Sequence, residues 1–358
     1  MISPAVIKAV PKVVLHDHLD GGLRVKTILE LAQKHNYTAL PFDNEEQLGN
    51  WFHTAVQGSL EIYLETFAHT VGVMQTPDAL QQVASECAQD LAEDGVVYAE
   101  IRFAPELHTA KGLSYRDVID NVLLGFAQGE AAAKAAGKTD FPIYGEIFDS
   151  NPLTTAQFVR NQAFPGVLDF AFQSNVTAFV TNGRGAEKLV ELFNADDLYT
   201  TSTTSAYGLT TFLGNHDMGR IGMFIDNAAS NDADALAKSK LANALLFLLR
   251  GGPALYYGDE KGMTGSGGDK ASRQSMFPTQ VSYWQDEKRI GSDPIGTRSA
   301  FDVRNPLEDQ ITSMQAIIKA NPALRSGTQQ IRFNNSEIFA VTRYLNGQEY
   351  AVVFNSGE

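Results

Sequence analysis

The sequence predicts an α/β fold followed by a small antiparallel β domain. Short β-branched runs alternate with amphipathic helical stretches between about residues 13 and 257, as in a parallel sheet or barrel. After about Gly327 the pattern changes to three strand-like runs, two of which are joined by Asn346-Gly347, a typical hairpin turn. We therefore expect a TIM-barrel-like (β/α) architecture with the start of a truncated β domain at its C-terminal end.

The first part of the sequence predicts two strands separated by helices. Residues 13–15 form a β-branched run that ends at His16, and residues 95–103 form a second run that Pro105 stops. The intervening stretch has helical character throughout. Apolar residues at helical spacing predict helices over residues 27–35, 77–91 and 115–136.

The second part of the sequence predicts four further strands and one clear long helix. The strands are expected at residues 142–148, 167–172, 210–213 and 253–257, and the helix at 234–250. This gives about six strands, whereas a closed (β/α)8 barrel has eight. Either two strands are not evident from the pattern, or the barrel is incomplete or open.

Composition restricts the partners of the protein. The 358 residues carry a net charge of −14, which argues against nucleic acid and anionic membrane surfaces. No apolar stretch reaches about 18 residues, so we expect no membrane span. The N-terminal residues do not resemble a signal peptide, and the single cysteine, Cys87, suits a reducing compartment, so we expect a cytoplasmic protein. The expected partner is a small-molecule or oligosaccharide substrate.

His16 and His18 form a candidate metal pair at the end of the first predicted strand. Residues at i and i+2 of a strand point to the same face, so two imidazoles there can share one zinc ion. The alternative is one solvated loop histidine and one buried histidine with ordinary hydrogen bonds. The short His-x-His pattern alone favours that alternative.

Three longer segments resemble adenosine deaminase. They are His-Asp-His-Leu-Asp-Gly at residues 16–21, Thr-Ile-Leu-Glu-Leu-Ala at 27–32 and Asp-Gly-Val-Val-Tyr-Ala-Glu-Ile-Arg-Phe-Ala-Pro at 94–105. The resemblance covers about residues 5–139 and implies an amidohydrolase-type barrel in which His16 and His18 bind zinc. It also implies that Asp20 contacts the substrate and that Tyr63 and Phe67 form an apolar lid. Simple helix packing at i,i+4 explains Tyr63 and Phe67 equally well.

The rest of the deaminase site is missing from the sequence. The family has a third histidine ligand, a His-Ala-Gly-Glu segment, a further histidine and an Asp-Asp-Pro segment. After His108 the sequence contains only His216, and neither segment occurs. Two imidazoles leave zinc under-coordinated, so we expect weak zinc binding and no full deamination. A newly formed site of His16, His18, His216 and Asp217 is a further, more speculative alternative.

Glu146 and Asp217 form a candidate carboxylate pair. Each follows a predicted strand, and carboxylates at the C-terminal ends of different barrel strands converge on the barrel mouth. Two such groups suit glycoside hydrolysis, in which one acid protonates the leaving oxygen and another carboxylate stabilises positive charge on the sugar. The alternative is that each carboxylate caps the helix that follows it.

Three segments around these carboxylates resemble the α-amylase family. They are Tyr-Gly-Glu-Ile-Phe-Asp at residues 144–149, Phe-Leu-Gly-Asn-His-Asp at 212–217 and Arg-Gly-Gly-Pro-Ala-Leu-Tyr-Tyr-Gly-Asp-Glu at 250–260. The resemblance covers about residues 141–358. It implies Glu146 as general acid/base, Asp217 as the transition-state carboxylate, and His216, with its neighbour Asn215, as substrate contacts.

The α-amylase site also lacks segments. No Gly-Phe-Arg-x-Asp segment, which carries the family nucleophile, and no Asp-x-x-x-Asn-His segment occurs. Glu100 is a candidate for the vacant nucleophile position, with Arg102 as an equally good structural partner. Loss of a covalent nucleophile costs several orders of magnitude in rate. Calcium binding is left open by the sequence.

The two resemblances together predict a hybrid. We expect an adenosine-deaminase-like part at residues 1–139, an α-amylase-like part at 140–326 and a partial β domain at 327–358. The leading hypothesis is a glycoside hydrolase for α-glucans with weak or no activity. The alternatives are a zinc-dependent deaminase-like protein with an incomplete site and a non-catalytic fusion of two folds.

Overall fold

The structure, a computed structural model, describes residues 3, 6, 10, 12–56, 60–135, 144–161, 164–265 and 270–357. These residues belong to two compact units. Unit 1 comprises Met1–Glu146 and Gln157–Pro165, and unit 2 comprises Ile147–Ala156 and Gly166–Glu358. The junction predicted between residues 139 and 140 lies outside the described residues.

Unit 1 combines a parallel strand pair with amphipathic helices. β1 (Lys12–His18) pairs with β2 (Val96–Arg102), placing Val14 opposite Ala99 and His18 opposite Arg102. The helices that lie within this unit are Val25–Lys34, Glu45–Val56, Leu60–Val73, Pro77–Glu93 and Tyr115–Ala135. Their buried faces share one hydrophobic core, because leucine, valine, isoleucine and alanine recur at helical spacing. The strands and helices predicted for this part are confirmed.

Two helices of unit 1 approach each other closely because glycines face the contact. A Cβ atom on Gly125 would lie 2.4 Å from the Gln81 carbonyl oxygen, and one on Gly129 would lie 2.6 Å from that of Ser85. Any larger residue at these two positions would therefore push helix Tyr115–Ala135 away from helix Pro77–Glu93.

Unit 2 contains short parallel pairings surrounded by helices. β3 (Thr210–Thr211) pairs with β4 (Gly252–Pro253), and Leu168 forms a parallel bridge with Thr210. The helices that lie within it are Phe170–Asn182, Ala186–Asn194, Ile221–Ala228, Asp232–Leu248, Ser282–Gln285, Pro306–Ala320 and Ala323–Ser326. The remaining α-helix, Pro152–Asn161, contains residues of both units. In the described part of the chain, no helix is both long and apolar enough to cross a bilayer.

A three-stranded antiparallel sheet ends unit 2. β6 (Ile338–Leu345) lies between β5 (Thr328–Asn334) and β7 (Gln348–Asn355). Asn346 and Gly347 connect β6 to β7 with φ values of 50° and 83°, as the predicted Asn-Gly turn requires. The buried side chains of Phe339, Val341 and Phe354 join the hydrophobic core of the unit, so this sheet packs as part of it.

Two of the predicted strands are wrong. Described residues 144–148 do not form a regular strand. The run predicted at 167–172 becomes a helix from Phe170, because Asp169 caps that helix by accepting a hydrogen bond from the Phe172 amide at 2.9 Å. The strand predicted at 210–213 is present in shortened form as β3, whereas β4 shares only Pro253 with the strand predicted at 253–257.

Candidate functional site

Glu146 forms an ion pair with Arg102, which ends β2. Arg102 Nη1 donates to Glu146 Oε2 at 2.8 Å, and both groups belong to unit 1. The side chains are largely buried, with 11% and 22% of their surface exposed. Glu146 Oε1 and Arg102 Nε are buried and find no hydrogen-bond partner in the described part of the chain. Arg102 is therefore a partner of Glu146, and one oxygen of the predicted catalytic carboxylate is occupied by a cation.

Asn215, His216 and Asp217 lie in a tight turn that follows β3. The backbones of Asn215 and Gly219 exchange two hydrogen bonds of 3.1 Å, which close the turn. The Asn215 side-chain oxygen accepts from the amides of Asp217 and Met218 at 3.0 and 2.9 Å. Asn215 therefore shapes the turn that holds His216 and Asp217, a role that the sequence interpretation, which made it a substrate contact, did not include.

The Asp217 carboxylate is accessible and lies among basic groups. Its Oδ1 atom lies 3.1 Å from His216 Nε2 and 3.5 Å from Arg273 Nη2, and 43% of its side chain is exposed. The helix that follows, Ile221–Ala228, has Arg220 at its N-cap position and no side-chain cap. The capping alternative therefore does not apply to Asp217, whose side chain stays partly exposed.

A buried ion pair follows this turn in the sequence. Arg220 Nη1 donates to Asp259 Oδ1 at 2.9 Å, and the side chains are 0% and 4% exposed. The Arg220 guanidinium also stacks over the rings of Tyr256 and Tyr257, with distances of 4.4 and 4.9 Å from Cζ to the ring centroids. Burial raises the pKa of Asp259 to about 6, although Arg220 acts in the opposite direction. The pair anchors the end of the turn, and sequence reasoning gave it no role.

A second buried network fixes the start of the segment that contains β4. Arg250 Nη1 bonds Asp169 Oδ2 at 2.5 Å, and Arg250 Nη2 bonds Asp196 Oδ1 at 2.6 Å. Arg250 also lies over the Phe193 ring, 5.0 Å from its centroid. The two aspartates lie 81 and 54 residues before Arg250 in the sequence, so no local pattern could indicate this network.

Asp20 and His18 lie close together in unit 1. His18 Nδ1 is 3.8 Å from Asp20 Oδ1, and the side chains are 48% and 6% exposed. Burial raises the pKa of Asp20, although His18 and His108 partly oppose this shift. The side chain of His16 lies outside the described residues, so the predicted pairing of His16 with His18 stays a prediction.

A cavity of about 180 Å³ lies next to Asp20. Tyr63 and Phe67, the two predicted lid residues, both line it, and their rings pack at right angles with centroids 5.4 Å apart. Phe67 also meets the His18 ring edge-on at 6.4 Å. The helix-packing alternative and the lid alternative are therefore compatible, because the same two rings pack together and line the cavity.

His108 is a buried polar residue to which sequence reasoning gave no role. Its Nδ1 atom bonds the Met74 carbonyl oxygen at 3.1 Å, whereas its Nε2 atom is buried without a hydrogen-bond partner in the described residues. Burial lowers the pKa of His108, with Asp20 acting against the shift. His108 lies three residues after Pro105, just beyond the end of a predicted strand. This position was the sequence feature that could have marked His108 as a candidate site residue.

Comparison with known proteins separates the sequence into two parts. The family model described as adenosine deaminase matches residues 11–139, and the one described as α-amylase, catalytic domain, matches residues 121–339. An adenosine deaminase of Mycobacteroides abscessus is 63% identical over 133 residues, which are 37% of each protein. An α-amylase of Streptomyces lividans is 42% identical over 233 residues, which are 63% of this chain and 25% of the relative.

The α-amylase match covers more than half of the chain. The chain belongs to the α-amylase family. Its first third is equally clearly similar to adenosine deaminase, so two lineages share this α-amylase-family chain. The predicted hybrid resemblance is confirmed.

Solved structures support the predicted fold class. An α-amylase of Anoxybacillus matches 79% of this chain and 53% of its own length, with a TM-score of 0.58 and 17% identity. This likeness shows the fold, a barrel-type α/β architecture, and the antiparallel C-terminal sheet is present as predicted. This α-amylase-family chain spans a quarter of the matched Streptomyces α-amylase and about a third of the matched adenosine deaminases.

The described side chains do not by themselves form a zinc site. No group of three or more histidine, cysteine, aspartate or glutamate side chains able to hold a metal occurs among them. His18 and Asp20 supply two donors at most, whereas a catalytic zinc ion needs three protein ligands. Because the His16 side chain lies outside the described residues, zinc binding by His16 and His18 stays a prediction.

Glu146 and Asp217 belong to different units of this α-amylase-family chain. The same is true of the His16–His18 pair and His216. The convergence of the two carboxylates, and the alternative site of three histidines and one aspartate, therefore stay predictions.

Proposed function

We propose that the chain is a glycoside-hydrolase-type protein that recognises α-glucans and hydrolyses them weakly or not at all. Membership of the α-amylase family and the likeness in fold support the class of ligand. One observation carries the weak activity: the Glu146 carboxylate is held by Arg102, a residue from the deaminase-like part of the chain.

In this proposal Asp217 stabilises positive charge that develops on the sugar ring. Its carboxylate is 43% exposed, and the Asn215 turn fixes its backbone. His216, 3.1 Å from the same carboxylate oxygen, is placed to contact a sugar hydroxyl beside it. These three residues form the part of the proposed site that the structure describes within one unit.

Glu146 would have to release Arg102 before acting as the general acid. Arg102 Nη1 donates to Oε2, and the other oxygen is buried, so neither oxygen is presented to solvent as a proton donor. No Gly-Phe-Arg-x-Asp segment supplies a nucleophile. Each defect lowers the rate, and loss of the nucleophile alone costs several orders of magnitude.

Incubation with maltoheptaose tests the proposal. Product formation and ligand binding are measured for the native chain and for Glu146→Gln, Asp217→Asn and Asp149→Asn. Asp149 is the matched control, because it is a carboxylate three residues after Glu146 whose Oδ1 accepts a hydrogen bond from the nearby Asn151 amide. We expect maltoheptaose to bind, hydrolysis to be weak or absent, and binding to fall in Asp217→Asn but not in Asp149→Asn.

Two results would count against the proposal. Equal hydrolysis by the native chain and Glu146→Gln would remove Glu146 from the reaction. Absence of both binding and hydrolysis, despite a cooperative melt, would instead favour the non-catalytic fusion.

The cavity beside Asp20 supports a second candidate function. Its aromatic lining and the buried Asp20 carboxylate suit binding of a nucleoside without turnover. Calorimetry with adenosine, comparing the native chain with Asp20→Asn, tests binding, and loss of adenosine absorbance tests deamination. Adenosine binding that is unchanged in Asp20→Asn, or absent altogether, would exclude this candidate, and a sample free of zinc would exclude the metal-dependent form.

A further inference from the structure

Unit 2 contains two neighbouring arginine side chains that no carboxylate neutralises. Arg343 belongs to the central strand β6 and is fully buried, and Arg325 lies in helix Ala323–Ser326, largely buried. Among the residues that the structure describes, no carboxylate pairs with either guanidinium, whereas Arg220 and Arg250 each have a carboxylate partner. A buried charge without a counter-charge is costly, so this pair needs an explanation.

Backbone carbonyl groups accept some of the hydrogen bonds that each guanidinium group can donate. Arg343 donates to the carbonyl oxygens of Leu248 at 3.0 Å and Arg325 at 2.9 Å, and Arg325 donates to that of Gly251. Leu248 ends a long helix, so its carbonyl contributes a partial negative charge from the helix dipole. These dipoles offset some of the positive charge, but they carry no net charge themselves.

Each guanidinium keeps a buried N–H group without an acceptor. These are Nε of Arg343 and Nη1 of Arg325, for which no partner exists among the described residues. Buried donors in native proteins almost always have an acceptor, which is often an ordered water or an ion when the protein supplies none. Arg343 Nη2 donates to the Arg325 carbonyl oxygen, so the two residues are neighbours, and burial, followed by the charge of Arg325, lowers the pKa of Arg343 to about 10.

Tyr207 adds a third donor to the cluster. Its hydroxyl oxygen accepts from the Gln329 amide at 2.7 Å, which leaves the hydroxyl hydrogen to donate. Gln329 is the β5 residue directly opposite Arg343 in β6, so the Tyr207 hydroxyl lies beside the strand position of Arg343. Tyr207 is 40% exposed and is therefore the member of the cluster that faces solvent.

We propose that Arg325, Arg343 and Tyr207 form a binding site for one small monovalent inorganic anion, which is chloride in ordinary buffers. The two guanidinium groups offer only donors and the Tyr207 oxygen already accepts from the Gln329 amide, so the three groups are suited to a ligand that accepts hydrogen bonds. One negative charge between two cations relieves their repulsion. Because Arg343 comes from β6 and Arg325 precedes β5, the anion fastens the antiparallel sheet to the helix before it.

Bromide serves as the probe. Crystals of the native chain soaked in sodium bromide should show an anomalous peak in contact with Arg325 and Arg343. In solution, the Tm of unit 2 should rise by roughly 3–5 °C in bromide or chloride relative to gluconate at equal ionic strength, at about ten times the Kd. The rise should saturate with anion concentration.

Variants separate this site from general salt effects. Arg325→Gln is the main variant, because Arg343 is fully buried and its replacement can prevent folding; Tyr207→Phe removes one donor only. We expect Arg325→Gln to lose the anion-specific rise and Tyr207→Phe to weaken the apparent affinity several-fold. Arg332→Gln, an exposed arginine paired with Glu349, is the control and should keep the full rise.

Absence of a bromide peak at the two guanidinium groups would overturn the proposal, because a water molecule would then occupy the position. An equal anion-specific rise in Arg325→Gln and the native chain would overturn it as well. Neither result would depend on whether the chain hydrolyses α-glucans.

Discussion

Four buried polar residues, two in each unit, differ in whether they have a partner. In unit 2, Arg220 and Arg250 are fully buried and each donates to a buried aspartate. In unit 1, Asp20 and His108 are almost as deeply buried, yet Asp20 Oδ1 and His108 Nε2 have no hydrogen-bond partner in the described residues. Unit 2 also keeps two buried donors without an acceptor among the described residues, Arg325 Nη1 and Arg343 Nε, so the contrast holds for these residues and not for the units as a whole.

Buried polar groups need partners that are distant in the sequence. Arg250 meets Asp169 across 81 residues, which the longer α-amylase-like part can supply within itself. The deaminase-like part ends before the segments that carry the rest of its family's site, and Asp20 and His108 each keep one buried atom without a hydrogen-bond partner in the described residues. A family motif that is present in the sequence therefore forms a complete site only if the distant residues that contact it are present as well.

The two tryptophans allow this comparison to be measured. Trp51 lies in unit 1 and Trp284 in unit 2, and the sequence contains no others. Chains with Trp51→Phe or Trp284→Phe then report the unfolding of one unit each by fluorescence. The predictions below use these single-tryptophan chains.

The largest effect is expected for Arg250→Met. The change leaves the buried carboxylates of Asp169 and Asp196 without their cation, so unit 2 should lose about 3–5 kcal/mol of unfolding free energy. Urea unfolding followed by Trp284 measures this loss. Arg332→Met, which breaks an exposed pair with Glu349, is the control and should change nothing measurable. A loss below about 1 kcal/mol in Arg250→Met would mean that this network does not stabilise unit 2.

Arg102→Met should lower the unfolding free energy of unit 1, by less than Arg250→Met lowers that of unit 2. The substitution leaves Glu146 largely buried without its partner, so we expect a loss of about 2 kcal/mol, reported by Trp51. The unfolding of unit 2, reported by Trp284, should not move. If Arg102→Met left unit 1 unchanged but raised α-glucan hydrolysis, the ion pair would be a brake on Glu146 with no structural role.

Asp78→Asn tests how pH affects unit 1. Burial raises the pKa of Asp78, but hydrogen bonds from Lys34, Thr76 and His35 lower it by more, to well below the ordinary 3.8. A depressed carboxyl pKa stabilises the folded state above the unfolded pKa, and this contribution is lost as pH falls through the folded pKa. Because the Asp78 side chain is 43% exposed, the loss in Asp78→Asn at pH 7 should be below about 1 kcal/mol.

The difference between Asp78→Asn and the native chain should shrink as pH falls below about 4, because the unfolded state then takes up a proton at Asp78 while the lowered pKa keeps the folded carboxylate ionised. This difference is measured from the urea midpoints of the two proteins at pH 7, 5 and 3, with Trp51 fluorescence reporting the unfolding of unit 1. A difference that is equal at all three values would show that the hydrogen bonds, and not the charge, matter at Asp78.

Asp217→Asn should have the smallest effect on stability. The side chain is exposed and its turn is held by Asn215, so unit 2 should change by less than about 0.5 kcal/mol. Any hydrolysis of maltoheptaose should nevertheless disappear. A large loss of stability here would place Asp217 in the support of the turn and weaken its assignment to the sugar.

Much of the fold could be predicted from local pattern. The helices of unit 1 and the β6–β7 hairpin follow from apolar spacing and from an Asn-Gly turn, both of which are local properties. The run at residues 167–172 was mispredicted because its aromatic residues suit a buried strand and a buried helix alike. The Asp169 cap decides between them.

The candidate site was less accessible to prediction. The motifs identified Glu146, His216 and Asp217, but they did not indicate that Arg102 would take one oxygen of Glu146. They also gave no signal for the pairing of Arg220 with Asp259, although both residues lie in or beside recognised segments. Which acid meets which base depends on contacts between segments, and these leave no periodic trace in the sequence.

The sequence by itself determined the two lineages, the helices and hairpin that follow local spacing, and the loss of the nucleophile segment, because each of these is written in consecutive residues. Only the tertiary structure decided the state of the charges: Glu146 is bound to Arg102, Arg250 is neutralised, and Arg325 and Arg343 lack a carboxylate. The reason is physical, since the free energy of a buried charge depends on groups brought near it by folding, whatever their distance along the chain.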